Sequence, residues 1–189
     1  MISELKPQIK NLPNALSFLR LALVPVFIFA FTASQMLLCA IVFAISGVSD
    51  AIDGFVARKF HCESNLGKIL DPIADKFTYA TAFFCLYSEG KMPTFFIVIF
   101  VAIQVLQGLG ALFLYKKAST VVKSNFTGKI AGFLMFAFCL VSLLFYDKLS
   151  KLFINIASSV VLFFIALSGL NYLGQYIVKP KVDSIKDKN

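Results

Sequence analysis

Apolar residues run along this chain in six long blocks, each closed by a short polar or charged break. The blocks fall near residues 15–33, 36–57, 70–88, 93–115, 130–147 and 152–176. About 20 consecutive apolar residues are what a helix needs to cross the hydrocarbon of a bilayer. No water is available there, so a spanning segment has to satisfy its own backbone hydrogen bonds, and the pattern predicts helices. The expected fold is all-α, a polytopic membrane protein with six transmembrane helices. A short segment, 1–10, leads into a six-helix domain over 11–177, and a charged tail, 178–189, follows. Asn11, Pro13 and Asn14 read as a cap on the first span. The tail lacks an apolar face and is expected to be mobile.

Composition sharpens this reading. Of 189 residues, 59% are hydrophobic and 15% charged, against about 45–50% and about 25% in soluble domains. The chain has 22 Phe and no Trp, so its apolar excess lies in aromatic and aliphatic runs. A net charge of +8 would suit a nucleic-acid partner if the basic residues lined one soluble face. They punctuate the apolar blocks instead, which excludes nucleic acid. Basic residues gather at one set of span ends, around 58–59, 116–129 and the tail, against Lys91, Lys148 and Lys151 at the other. The positive-inside tendency then puts both termini in the cytoplasm, with the second-to-third and fourth-to-fifth connections. The first block is too long for a secretory signal and no small-residue cleavage pattern follows it, so it reads as a retained helix. Cys39, Cys62, Cys85 and Cys139 form no close pair, which argues against disulfides and a zinc cluster.

Chemistry is concentrated at one place. Four of the ten acidic residues stand in two pairs, Asp50 with Asp53 and Asp71 with Asp75. Spacings of three and four put each pair on one face of its helix. Clustered carboxylates near hydrocarbon repel one another and are costly to keep ionised without a cation. Three readings meet that requirement. Divalent cations bind the cluster, with oxygen-only donors favouring Mg²⁺ or Mn²⁺; or Arg20, Arg58 or Lys76 pairs with the aspartates; or the acids line a transport path. Four carboxylates suffice for two ions, and two ions on a membrane surface suit phosphoryl transfer. A noncatalytic lipid-binding or packing partner is a further class.

Read together, these residues give Asp-x-x-Asp-Gly-x-x-Ala-Arg, a spacer, then Gly-x-x-x-Asp-x-x-x-Asp, as Asp50, Asp53, Gly54, Ala57, Arg58, Gly67, Asp71 and Asp75. In this the chain resembles the CDP-alcohol phosphotransferase family, over residues 11–177. The resemblance implies a six-helix membrane enzyme that moves a phosphatidyl group from CDP-diacylglycerol to an alcohol, releasing CMP. It implies a metal cluster of Asp50, Asp53, Asp71 and Asp75 holding Mg²⁺ or Mn²⁺, two ions per site. Asp75 would serve as base, with Asp71 as its catalytic partner. The nucleotide would lie against Asp50, Asp53, Gly54, Ala57, Arg58, Gly67 and Asp71. A homodimer in the bacterial inner membrane, with its site on the cytoplasmic face and its acyl tails among membrane lipids, is also implied.

Within the family, the stretches over 11–25 and 66–76 look closest to members whose acceptor is glycerol 3-phosphate. Phosphatidylglycerol, serine, inositol phosphate and choline are the alternatives. An acceptor phosphate calls for cations, and Lys123, Lys129 and Arg20 are the candidates. The relatives carry an arginine–acid pair in the fourth span, where this chain has Gln104 and Gln107. These amides are read either as packing contacts or as facing a polar cavity. His61 reads as an exposed loop residue.

Overall fold

The computed structural model describes the backbone of residues 2–60, 67–118 and 126–186, and the side chains of 15–52, 71, 73–110 and 126–171. Its elements are all helical: α1 (Ile2–Thr32), α2 (Met36–Phe60), α3 (Gly67–Ser88), α4 (Thr94–Ala118), α5 (Phe126–Leu144) and α6 (Lys151–Lys186). Each contains or closely matches one expected apolar block. The helices outrun the blocks at both ends of the chain. α1 continues through Pro13 instead of starting there, so Asn11, Pro13 and Asn14 do not form its cap; a proline removes one backbone donor without always ending a helix. α6 continues to Lys186, so most of the tail expected to be mobile is helical. Lysine has a good helix propensity, and a charged segment needs no apolar face to extend an existing helix.

Among the described residues, three helices are long and apolar enough to cross a membrane: Ala15–Thr32, Phe126–Leu144 and Lys151–Asn171. The described parts of α2, Met36–Ile52, and of α4, Thr94–Gly110, are apolar as well. Three of the six expected spans thus qualify among the described residues, and in α3 Asp71, Asp75 and Lys76 interrupt the apolar run in its first half. Phe29, Leu37, Phe126, Phe133 and Leu152 are each at least 68% exposed. Large apolar side chains left outside in this number are suited to lipid, not to water. The protein is a multi-span membrane protein.

Two compact units make up the chain, Met1–Lys91 with Cys139–Leu149, and Met92–Phe138 with Ser150–Asn189. In the first, α1 packs along both α2 and α3, which meet each other over a shorter stretch. Phe27, Cys39, Phe43, Phe83 and Leu86 are buried in its core, and Phe43 meets Tyr79 edge-on at 5.6 Å. In the second, α4 packs on α6, and Phe96 stacks on Phe100 and meets Phe138 edge-on. Cys39, Cys85 and Cys139 are free thiols, as expected of cysteines in apolar helices.

Two helix ends in the first unit use the same left-handed closure. At the end of α1, Ser34 donates to Phe31 O and Gln35 to Ala30 O, both at 2.9 Å, with Ser34 at φ 58°. At the end of α3, Gly90 donates to Tyr87 O and Lys91 to Leu86 O, also at 2.9 Å, with Gly90 at φ 69°. Both are Schellman closures, which satisfy terminal carbonyls that the helix leaves open. Lys91, after α3, reaches Asp147, after α5, at 2.9 Å and lies 4.4 Å from the centre of the Tyr146 ring. The residues that follow α3 and α5 therefore meet within this unit.

Candidate active site

Asp50 sits on α2, and Asp71 and Asp75 sit one turn apart near the start of α3. All three are in the first unit. Two of them are contacted from α1. Arg20, 1% exposed, brings Nη1 to 2.9 Å from Asp50 Oδ1, while the Asp50 side chain is 47% exposed. Ser17, fully buried, donates its hydroxyl hydrogen to Asp71 Oδ1. Two further hydroxyls turn back on their own helices, Ser49 to Ile45 O at 2.8 Å and Thr78 to Ala74 O at 3.0 Å. Such back-bonding keeps their polarity off the apolar neighbours.

The three helices leave a small open-sided cleft between them. It is lined by Leu23 and Phe27 of α1, Phe43 and Ser46 of α2, and Thr78 and Thr81 of α3. Ser46 is one turn before Asp50 and Thr78 one turn after Asp75, so apolar and carboxylate surfaces adjoin along the same helices.

The ion-pair reading of the aspartates is realised at Asp50, whose partner is Arg20. It is not an alternative to ligand binding, because the arginine approaches from the interior and the carboxylate still reaches outside. From the sequence Arg20 is a candidate both for an acceptor phosphate and for the aspartates; here it pairs with Asp50. Among the described residues, no group of three or more Asp, Glu, His or Cys is gathered closely enough to hold a metal. The side chain of Asp53 lies outside the described residues, as do those of Gly54, Ala57, Arg58 and Gly67, whose backbone belongs to α2 and α3. Lys123, His61 and Cys62 lie wholly outside them. The described carboxylates, Asp50, Asp71 and Asp75, offer oxygen donors without imidazole or thiolate, donor chemistry that suits a hard divalent cation.

In the second unit Lys129 is exposed near the start of α5. Gln107 Nε2 lies 3.2 Å from the position a Cβ on Gly169 would take, so Gln107 is a close packing contact between α4 and α6. Gln104 Oε1 is buried and has no hydrogen-bond partner among the described residues. Asn171 donates to Thr127 Oγ1 at 3.2 Å, joining α6 to α5.

Sequence reasoning gave no role to Ser17. The signal was its spacing: a hydroxyl three residues before an arginine within an apolar helix, where each polar group needs a partner.

Comparison with known proteins agrees with the motif. The chain is 28% identical to a CDP-diacylglycerol–glycerol-3-phosphate 3-phosphatidyltransferase of Bacillus subtilis, over 87% of this chain and 94% of that one. An Aquifex aeolicus protein of the same name is 28% identical over 86% and 93%. One from Rickettsia felis is 43% identical over a shorter stretch, 35% of this chain and 39% of that protein. The model of the family described as CDP-alcohol phosphatidyltransferase matches residues 10–170, a span that takes in α2, α3 and all eight motif positions. The chain thus belongs to the CDP-alcohol phosphatidyltransferase family and is an enzyme that transfers a phosphatidyl group from CDP-diacylglycerol to an alcohol.

Proposed function

We propose that the alcohol is glycerol 3-phosphate and that the products are phosphatidylglycerophosphate and CMP. The observation that carries this reading is the agreement of two relatives of that name over nearly the whole chain. It is supported by carboxylates that α1 holds from behind while Asp50 stays open. The reaction forms one bond, from the acceptor hydroxyl oxygen to the phosphorus bearing diacylglycerol, and breaks the bond from that phosphorus to CMP. Asp75 takes the hydroxyl proton, and Asp71 works beside it. Asp50, Asp53, Asp71 and Asp75 are the residues that would hold two ions, Mg²⁺ or Mn²⁺. When bound, such ions neutralise charge on the pyrophosphate and favour the ionised hydroxyl.

The remaining roles follow from charge and space. Gly54, Ala57 and Gly67 leave the backbone approachable by the cytidine nucleotide, and Arg58 offers it a two-pronged phosphate contact. Lys129 and Lys123 bind the acceptor's phosphate. Arg20 contributes through Asp50, being buried and already ion-paired there. The acyl tails stay in lipid against apolar helix faces. Six crossings, a homodimer in the bacterial inner membrane, and termini and site on the cytoplasmic side complete the proposal.

The test is CMP release by the purified protein from CDP-diacylglycerol with Mg²⁺ or Mn²⁺, using glycerol 3-phosphate and phosphatidylglycerol as separate acceptors. Metal-dependent release with glycerol 3-phosphate, lost in Asp75→Asn, is expected. Preference for phosphatidylglycerol would keep the reaction and change the acceptor.

A further inference from the structure

The acidic motif belongs to α2 and α3, yet the groups that grip it belong to α1. Ser17 and Arg20 are three residues apart, hence on one face of α1. One reaches Asp71 and the other Asp50, each at Oδ1. Two side chains of one helix thus fix one oxygen each of two carboxylates on two other helices. Packing alone does not call for such groups. A buried ion pair is often matched or bettered in stability by apolar residues of the same volume, and a buried hydroxyl is costly to place without a partner. What polar ends supply is direction. Without them the two carboxylates are free to turn on their separate helices, and a ligand has to order them as it binds, with a loss of affinity.

We infer that Ser17 and Arg20 are positioning residues: from α1 they set Asp71 and Asp50 in their binding directions before a divalent cation arrives. The inference rests on the phosphatidyltransferase reading, because that chemistry is what needs the two carboxylates aligned. Neither residue touches the reacting atoms; each acts through an aspartate.

The experiment separates positioning from packing by measuring Mn²⁺ binding directly. Free Mn²⁺ is read by electron paramagnetic resonance during titration of the purified protein without substrate, beside CMP release at several Mn²⁺ concentrations. Ser17→Ala is expected to weaken Mn²⁺ binding about tenfold, the low end of the effect of residues that orient metal ligands. CMP release should fall correspondingly and recover in part at high Mn²⁺, with the KM for glycerol 3-phosphate nearly unmoved. Ser17→Thr keeps the hydroxyl and should stay close to the wild type. Arg20→Lys keeps the charge without the planar fork and should fall between. Should Ser17→Ala not fold, the contrast of Ser17→Thr with Arg20→Lys carries the decision. Ser17→Ala, or in its absence Arg20→Lys, binding Mn²⁺ like the wild type would overturn the inference, whatever its melting temperature. So would a wild type that binds no Mn²⁺. A wild type whose Mn²⁺ binding is weakened by Ser17→Ala but which releases no CMP with either acceptor would sink the phosphatidyltransferase reading and leave the positioning role in place.

Discussion

Arg20 and Asp50 form an ion pair with its cation inside and its anion outside: Nη1 and Oδ1 are 2.9 Å apart, and the side chains are 1% and 47% exposed. The two partners are therefore not equivalent on removal. Asp50→Ala takes a counter-charge from a buried guanidinium, which makes breaking such a pair costly. Arg20→Met keeps the volume and leaves an aspartate that is half-exposed and can be solvated. Asp50→Ala is expected to destabilise by about 2 kcal/mol and Arg20→Met by less than about 1 kcal/mol, scaled down from fully buried pairs for the exposure of Asp50. Both should depress CMP release. Thermal unfolding in one detergent checks the order of the two melting temperatures; the reverse order would show that the arginine's packing matters more than its charge.

How far the sequence leads is seen in these same helices. Hydropathy located all six, because only long apolar runs leave the trace that a bilayer requires, and the spacing of Asp50, Asp53, Asp71 and Asp75 marked the chemistry. Hydropathy reports where hydrocarbon lies, not where hydrogen bonding stops, so it missed the extensions of α1 to Ile2 and of α6 to Lys186. Nor did it register that the charges of α3 shorten its apolar length. Ser17 escaped notice because its partner is 54 residues away, a relation set by the packing of α1 on α3. Arg20 was legible both as a cation for an acceptor and as a partner of the aspartates; which carboxylate it meets, Asp50, is set by the packing of α1 on α2.

The two left-handed helix ends make a matched pair for mutation. Gly90 occupies this backbone region without penalty, and nothing lies within 4 Å of a Cβ built there, so Gly90→Ala is opposed by conformation alone. Ser34 occupies it with a side chain, at a disadvantage of about 1–2 kcal/mol against the right-handed region. Glycine's greater freedom in the unfolded chain offsets part of the gain on replacement. Ser34→Gly should therefore raise the melting temperature, by about 0.5–1 kcal/mol in stability, and Gly90→Ala should lower it by about 1 kcal/mol. Equal shifts of the same sign would contradict the shared geometry.

Lys91 offers a pH test away from the apolar spans. Its hydrogen bond to Asp147 holds its pKa above the usual 10.5 despite the opposing desolvation, and the nearby Asp147 charge adds to this. A lysine whose pKa is raised by folding stabilises the protein fully below the unfolded value, and loses that contribution as pH climbs through the folded value. The ion pair is exposed enough that its worth is small, within the ~0–1 kcal/mol of surface pairs. Lys91→Met should melt slightly below the wild type at pH 8, with the gap narrowing once the pH passes 10.5 and also in high salt. A gap that is constant across both would assign the effect to packing on the Tyr146 ring.

The acceptor's phosphate gives the last test, because it separates charge recognition from the chemistry at the aspartates. Lys129 is exposed at the start of α5, where a lysine is equally at home as a solvated positive flank. If it holds the phosphate of glycerol 3-phosphate, it contributes a charge-assisted hydrogen bond that an alcohol without a phosphate does not use. Lys129→Ala should then raise the KM for glycerol 3-phosphate about tenfold, the equivalent of roughly 1.4 kcal/mol, and leave the KM for CDP-diacylglycerol unchanged. Lys129→Arg should restore most of the affinity, since a phosphate accepts either cation. Measuring both constants at two salt concentrations completes the argument: the wild type's KM for glycerol 3-phosphate should rise with salt more steeply than the alanine variant's, because only the wild type has the phosphate contact to be screened. Parallel salt dependence with an unmoved KM would return Lys129 to the solvated flank and leave Lys123 as the acceptor's cation.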